Sequence, residues 1–500
     1  MTELFWNQHA SWPMLAILQL VPLIGALLVW KLGETPLAAN LARIVAGSEL
    51  LLAIALYRQF DVNAAGYQFA ERLDLIIPLG YHVGADGITV LFVLLAALIV
   101  FLITLYSLVR GLADSARLLA VVLAIEATLM VQLATFNLLW FVFASGIELL
   151  LVGYLIGRWS DSPERDDAKS RFYQFQGMGL AMLLMGVLTL SWTVHDLTGA
   201  AWSVDMLELA GHPIPPQLGA VIFFLLFYGL GVRTPIFPLH GWLPMVAQHG
   251  NVAIAPALLL GVKIGIYGMV RFVLPLLPDV AAAWAPQVVG FAAAGVFYAA
   301  LLAFQQTSLR RLIAFAVISH TSLVVIGLFT LESVAMQGGL LLALNFGLAA
   351  TTLMLMTGLV YRRTRTTKLN KLGGLIDVIP GIGLTFLVAG LAIVGMPGTP
   401  GFDAAHLMLE GAIDRFGALP TIAAALGNVA AAGFLLWAFQ RAFLAPEQSA
   451  HPTYERVNGI EALIAGILVV VMLVAGFYTS PWLDLVETPI QALTEHFSHE

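Results

Sequence analysis

The sequence predicts an all-α polytopic membrane protein of about fourteen transmembrane helices. Spans 7 and 12 are expected to be broken, and spans 4–8 and 9–13 to form two inverted five-helix repeats. Three observations predict this. Apolar residues make up 60% of the 500-residue chain and charged residues only 11%, too little charge to solvate a globular surface of this size. Apolar stretches long enough to cross a hydrocarbon core of about 30 Å recur along the whole length. Most of the cations outside these stretches fall on one side of the alternating connections.

In chain order the spans lie near 14–31, 38–57, 85–109, 114–132, 134–157, 174–192, 216–243, 252–275, 283–303, 310–330, 335–359, 378–404, 417–443 and 459–477. The N-terminus MTELFWNQHASWP has no basic segment and no small-residue cleavage site, so the first span reads as a retained helix. Of the 23 lysines and arginines, 17 lie on connections after odd-numbered spans and four (Arg58, Arg72, Arg271 and Arg415) on the others. The last two, Arg233 and Lys263, lie within spans. Positive charge marks the cytoplasmic side, which places both termini outside the cytoplasm of a bacterial inner membrane.

Span 7 breaks at Thr234-Pro-Ile-Phe-Pro-Leu-His-Gly and span 12 at Gly395-Met-Pro-Gly-Thr-Pro-Gly. Proline removes a helix donor and clashes with the preceding turn. Unwound backbone at membrane depth survives only inside protein or beside a water-filled cavity. The breaks are five helices apart, and an odd number of helices inverts the second copy, a pattern of transport machinery. The chain therefore divides into residues 1–110 (helices 1–3), 111–276 (first repeat), 277–445 (second repeat) and 446–500 (helix 14 and tail).

A charge at membrane depth costs about 3 kcal/mol or more, so it usually marks an ion path. Lys263 is the foremost candidate. Desolvation disfavours an ammonium, so a buried lysine can both load and release a proton. The alternative is a structural salt bridge. Arg233 keeps its proton and can only hold a carboxylate ionised or order water. It is the expected charge partner of Glu148, which lies mid-span in NLLWFVFASGIELLLVGYLIGRW. Glu126, mid-span in LLAVVLAIEATLMVQLA, is open to a functional or a structural role. His320 can relay protons or simply bond a neighbouring carbonyl. His240 follows the span-7 break and can organise it. Asp86 is expected to cap span 3.

Other chemistries are disfavoured. The chain has no cysteine, which removes thiolate metal sites, iron–sulfur clusters and disulfides. No phosphate-binding glycine loop, histidine-rich metal pattern or nucleophile elbow occurs, and no basic patch suits nucleic acid. No cofactor is expected in this chain. The expected partners are the lipid bilayer and other membrane and peripheral subunits.

Several segments resemble the antiporter-like proton-pumping subunits of respiratory complex I, above all the M (chain 4) type. They are GADGITV (84–90), PIFPLHGWLP (235–244), GVKIGIYGMVRFVLPLLP (261–278), QQTSLRRLIAFAVISHTSLVVIG (305–327), KLGGL (371–375) and GMPGTPGF (395–402). The resemblance covers residues from about 70 to about 445. It implies fourteen helices, two inverted repeats and a central hydrophilic axis. It carries a buried helix-5 glutamate onto Glu148, a central helix-8 lysine onto Lys263 and a helix-10 histidine onto His320. The family also includes subunits of membrane-bound hydrogenases, cation/proton antiporters and inorganic-carbon uptake complexes.

The departures are specific. A helix-7 lysine is Arg233 here, a helix-11 histidine falls at Phe346, a helix-12 glutamate at Ala405, and an aspartate after HGWLP is Met245. Asp403, His406 and Glu410 are candidate substitutes out of register. The expected function is proton translocation along Glu148, Lys263 and His320 in an NADH:quinone oxidoreductase-type assembly. The alternative is proton conduction in a non-redox complex, such as a bicarbonate or CO2 uptake system or a cation/proton antiporter. A structural scaffold that conducts nothing fits poorly with a buried Lys263.

Overall fold

The computed structural model describes residues 3–73, 80–112, 114–446 and 455–497. Parts of the expected tail, residues 447–454 and 498–500, lie outside the described residues. Apart from one-turn helices at Trp6–His9 and Met206–Leu209, the first seven helices are α1 (Met14–Leu32), α2 (Pro36–Gln59), α3 (Gly87–Arg110), α4 (Ser115–Ala134), α5 (Leu138–Arg158), α6 (Arg165–Thr198) and α7 (Pro216–Arg233). After a turn region come α8 (Leu243–His249), α9 (Ile254–Gly261), α10 (Ile264–Gly268), α11 (Pro278–Phe304), α12 (Leu309–Leu328) and α13 (Ser333–Thr364). The chain continues through α14 (Pro380–Val394), α15 (Pro400–Phe416), α16 (Ala418–Phe439), α17 (Gly459–Phe477) and α18 (Ser480–Thr494).

Among the described residues, 12 helices are long and apolar enough to cross a membrane, counting Ile254–Leu276 as one. The fold is thus a polytopic bundle of about twelve long apolar helices. The region expected as spans 12 and 13 consists of the 15-residue α14, the 17-residue α15 and the 22-residue α16.

Burial sorts the bundle. The most apolar windows of Ile254–Leu276, α12 and α13 are each 94% buried, against 39% for α1 and α2 and 28% for α17. The first three are the interior staves and the others face outward. Close backbone approach sustains the centre: a Cβ on Gly347 of α13 would collide with the carbonyl oxygen of Gly261 at the end of α9.

Local sequence explains the helix starts. Asp86 accepts a bond from Thr89 N at 2.9 Å and caps α3, as expected. Asn137 does the same for α5 through Leu139 N and Trp140 N, and Thr35 with Pro36 opens α2. Asn458 and Glu461 form a reciprocal capping box on α17.

A helix-only expectation omits a small sheet of β1 (Glu3–Phe5), β2 (Tyr67–Leu73) and β3 (Tyr81–Ala85), in the order β1-β2-β3. β2 and β3 are antiparallel with Leu73 opposite Tyr81, and β1 runs parallel to β2. Glu71 of β2 accepts from Leu15 N at 2.9 Å and Ala16 N at 3.2 Å, satisfying free donors at the start of α1. The amphipathic α18 packs on α3 and α13, burying Leu485, Val486, Ile490 and Leu493.

Both expected breaks are present. α7 ends at Arg233 and the chain turns through 234–242 before α8. α14 ends at Gly395, in a left-handed conformation (φ 80°), before α15 begins at Pro400. A further break interrupts span 8, where Val262 and Lys263 separate α9 from α10. No proline sits at that break to announce it.

Candidate functional site

Glu148 projects from α5 and Arg233 from the last turn of α7, where unpaired carbonyls favour a cation. Arg233 Nη2 lies 2.5 Å from Glu148 Oε2 and donates to Gln132 Oε1 of α4 at 3.0 Å. Gln132 Nε2 donates to the same Glu148 oxygen at 2.8 Å, and Ser145 Oγ donates to Gln132 Oε1 at 2.8 Å. Three helices thus close a ring in which the amide bonds both ends of the ion pair. The pair is buried, with side-chain exposures of 8% for Arg233 and 12% for Glu148. The expected Glu148–Arg233 partnership is therefore a direct contact.

Lys263 sits at the break between α9 and α10, 4% exposed. Its ammonium donates to Thr321 Oγ1 of α12 at 2.9 Å. Among the described residues no carboxylate pairs with it, so a structural salt bridge is not what holds it there. A cavity of about 20 Å³ beside this break is lined by Glu148, Gln176, Arg233, Val262 and Ile264. That is room for about one water molecule. The ion pair and the backbone on both sides of Lys263 therefore face the same small void.

His320 adjoins Thr321 on α12. Its Nδ1 lies 2.8 Å from the carbonyl oxygen of Ala316. A carbonyl only accepts, so Nδ1 carries hydrogen and donates. The neighbouring-carbonyl bond expected as one alternative is thus made, yet Nε2 is buried with no partner. An unpaired ring nitrogen can still accept or pass a proton. Phe346 packs edge-on against this imidazole at 4.6 Å between ring centroids.

The remaining candidates lie apart. His240 sits in the span-7 break against Phe237 and Tyr298, with Nδ1 unpartnered. Asp403 accepts from Thr479 Oγ1 at 2.7 Å, while His406 and Glu410 are exposed on α15. Glu126 and Gln132 are six residues apart on α4, about 240° round a 3.6-residue helix, so they occupy different faces. Glu126 is turned away from the Arg233 ring and toward Glu49 of α2.

Sequence reasoning missed Gln132, Ser145 and Thr321, neutral residues with no signal beyond their place in a span. It also missed a second buried ion pair. Arg271, sorted as a connection residue, is 6% exposed. Its Nη2 lies 2.7 Å from Asp86 Oδ1 and 2.8 Å from Thr89 Oγ1, and its Nη1 lies 2.9 Å from Tyr67 OH. Asp86 thus caps α3 and neutralises Arg271 together. An arginine inside the apolar run GMVRFVLP was the available signal.

Comparison with known proteins adds an independent line. The family described as NADH:quinone oxidoreductase/Mrp antiporter, TM, matches residues 135–430. The NADH-quinone oxidoreductase subunit M of Escherichia coli K12 is 30% identical over 96% of this chain and 97% of its own. Among solved structures, respiratory complex I from Thermus thermophilus contains a chain similar at TM-score 0.85 and 28% identity, covering 96% of this chain and 99% of that one. A chain of the Mrp complex from Dietzia sp. DQ12-45-1b shares the fold at TM-score 0.85 and 20% identity, covering 96% and 98%.

Proposed function

We propose how this chain works from one premise: it belongs to the NADH:quinone oxidoreductase/Mrp antiporter family, and it is a proton-translocating membrane subunit of that family. One observation carries the reading. The Glu148–Arg233 ion pair, Lys263 on Thr321, and His320 with an open Nε2 lie buried at or beside the breaks after Arg233 and Gly261.

The roles follow from chemistry. Arg233 does not give up its proton and acts through its field. Held by Gln132, it pairs with Glu148; moved away, it leaves a buried carboxylate without its counterion. Lys263 is the carrier, because an ammonium with one acceptor and no counterion among the described residues can lose a proton without leaving an unpaired anion. Water in the void between Glu148, Arg233 and the Lys263 break supplies the short link. His320 then accepts at Nε2 and, with Nδ1 fixed on Ala316, releases the same proton onward.

Finer features are supported by the sequence. With Arg271 counted as buried, the 17-to-3 distribution of the connecting cations supports fourteen spans with both termini outside the cytoplasm of a bacterial inner membrane. Breaks five spans apart support inverted repeats over 111–276 and 277–445, flanked by 1–110 and 446–500. The chain acts within a larger complex of membrane and peripheral subunits, with electrons handled by other chains.

A second reading has its own observation. Phe346 covers the His320 ring, and His406 and Glu410 face outward, so no acid of α15 stands beside His320. That suits a non-redox complex, such as an inorganic-carbon uptake system or a cation/proton antiporter, that couples protons by another exit.

Gentle purification of the tagged full chain from native membranes, with co-purifying subunits identified by mass spectrometry, separates the two. Flavin, iron–sulfur and quinone-site subunits are the expected result. A single peripheral partner without redox centres would overturn the redox assignment in favour of the second reading.

A further inference from the structure

Glu49 in the middle of α2 and Glu126 in the middle of α4 are both completely buried. All four of their carboxyl oxygens are without a hydrogen-bond partner. The two groups are close enough to feel each other's charge, and α2 and α4 are in contact. No cation compensates them among the described residues. On the elements packed around the pair, Lys31, Arg43, Arg110, Arg117 and Arg158 lie toward one end and Tyr57, Arg58, Tyr81 and His82 toward the other. Tyr106 and Tyr154 carry no positive charge, Glu148 is held by Arg233, and Tyr267 donates to Leu133. None of them bonds to either carboxyl.

Two carboxylates cannot both stay ionised side by side in a low-dielectric interior without a counterion. A protonated carboxyl removes one charge and supplies a donor for the other. We propose that Glu49 and Glu126 form a second proton-holding site, a carboxylic acid–carboxylate pair between α2 and α4, apart from the Arg233, Lys263 and His320 axis. Its ligand is the hydron itself. The proposal does not rest on the transport reading: burial without a counterion requires at least one of the two carboxyls to hold a proton.

Infrared spectroscopy of the purified complex tests it through the carbonyl stretch of a protonated carboxylic acid. The wild type is expected to show an acid band that persists at about pH 8. Glu49→Gln and Glu126→Gln are each expected to remove or shift that band, and Lys263→Ala to leave it in place even if transport is lost. An absent band, or one untouched by both substitutions, would overturn the proposal. A band that vanishes on adding sodium would overturn it too, by showing a metal cation between the carboxylates. If Glu126→Gln fails to assemble on a native gel, Glu49→Gln and the wild-type pH titration still decide the matter.

Discussion

Arg233 and Glu148 make a direct buried ion pair at 2.5 Å, and one amide, that of Gln132, bonds both members. The pair bridges the C-terminus of a broken helix and the middle of an intact one. A change in the break therefore reaches the carboxylate directly.

Removing Arg233 leaves Glu148 as an uncompensated buried charge. Arg233→Gln is expected to cost about 3–5 kcal/mol, the usual penalty for breaking one side of a buried pair. Arg233→Lys keeps the charge but reaches one acceptor, so it should restore most of the stability and lose the Gln132 contact. Thermal unfolding of the two variants, with proton uptake into proteoliposomes, checks both. Equal stability for Gln and Lys would refute the ion-pair account.

Lys263 is expected to carry the transported proton. Lys263→Ala should abolish proton movement, and Lys263→Arg should do the same while keeping the charge, because guanidinium does not release its proton. A pH-sensitive dye inside proteoliposomes reports the rate. Undiminished transport in Lys263→Arg would remove Lys263 from the path.

Among the described residues, Thr321 supplies the one side-chain acceptor of the Lys263 ammonium. Thr321→Val preserves shape and deletes the oxygen, at a cost of about 1–3 kcal/mol for an unpaired buried donor. Transport should slow more than assembly falls. The native-gel level of the complex against its transport rate measures that split, and parallel losses would make Thr321 purely structural.

His82 of β3 lies 2.6 Å from Asp205 and 2.5 Å from Glu3, outside the membrane-spanning helices. Burial disfavours its charged form, but hydrogen bonds and charge from Asp205 and Glu3 outweigh burial and raise its pKa above the ordinary histidine value. The sign follows from linkage. A raised folded value means the contact is fully stabilising below about pH 6.5 and weakens as pH rises through the higher folded value. Limited proteolysis of the N-terminal strand should therefore speed up on alkalinisation. His82→Gln should remove that pH dependence, and a dependence that survives the substitution would belong to another group.

Much of the molecule was legible before any coordinates. Helices in a bilayer satisfy their own backbone, so an apolar stretch of sufficient length specifies a span locally. Glu148, Arg233, Lys263 and His320 stood out because ionisable groups are rare against such a background. The proline-marked breaks were visible for the same reason. The break at Lys263 was not, because no proline announces it and the α9–α13 approach at Gly261 and Gly347 accompanies it. Gln132, Ser145 and Thr321 were hidden because neutral polar residues are common in membrane helices and acquire a role only from what they touch.

The sequence by itself determined the polytopic helical bundle and the identity of the charges, since each depends on local hydropathy and on the side chain's own chemistry. Beyond the Arg233–Glu148 partnership, which the sequence already suggested, tertiary structure alone decided the pairings and the geometry of each contact. It joined Arg233 to Glu148 across 85 residues and Arg271 to Asp86 across 185, and it turned Glu126 away from the axis toward Glu49. The physical reason is that a buried charge is defined by its neighbours, and neighbours on separate helices are set by packing rather than by spacing along the chain.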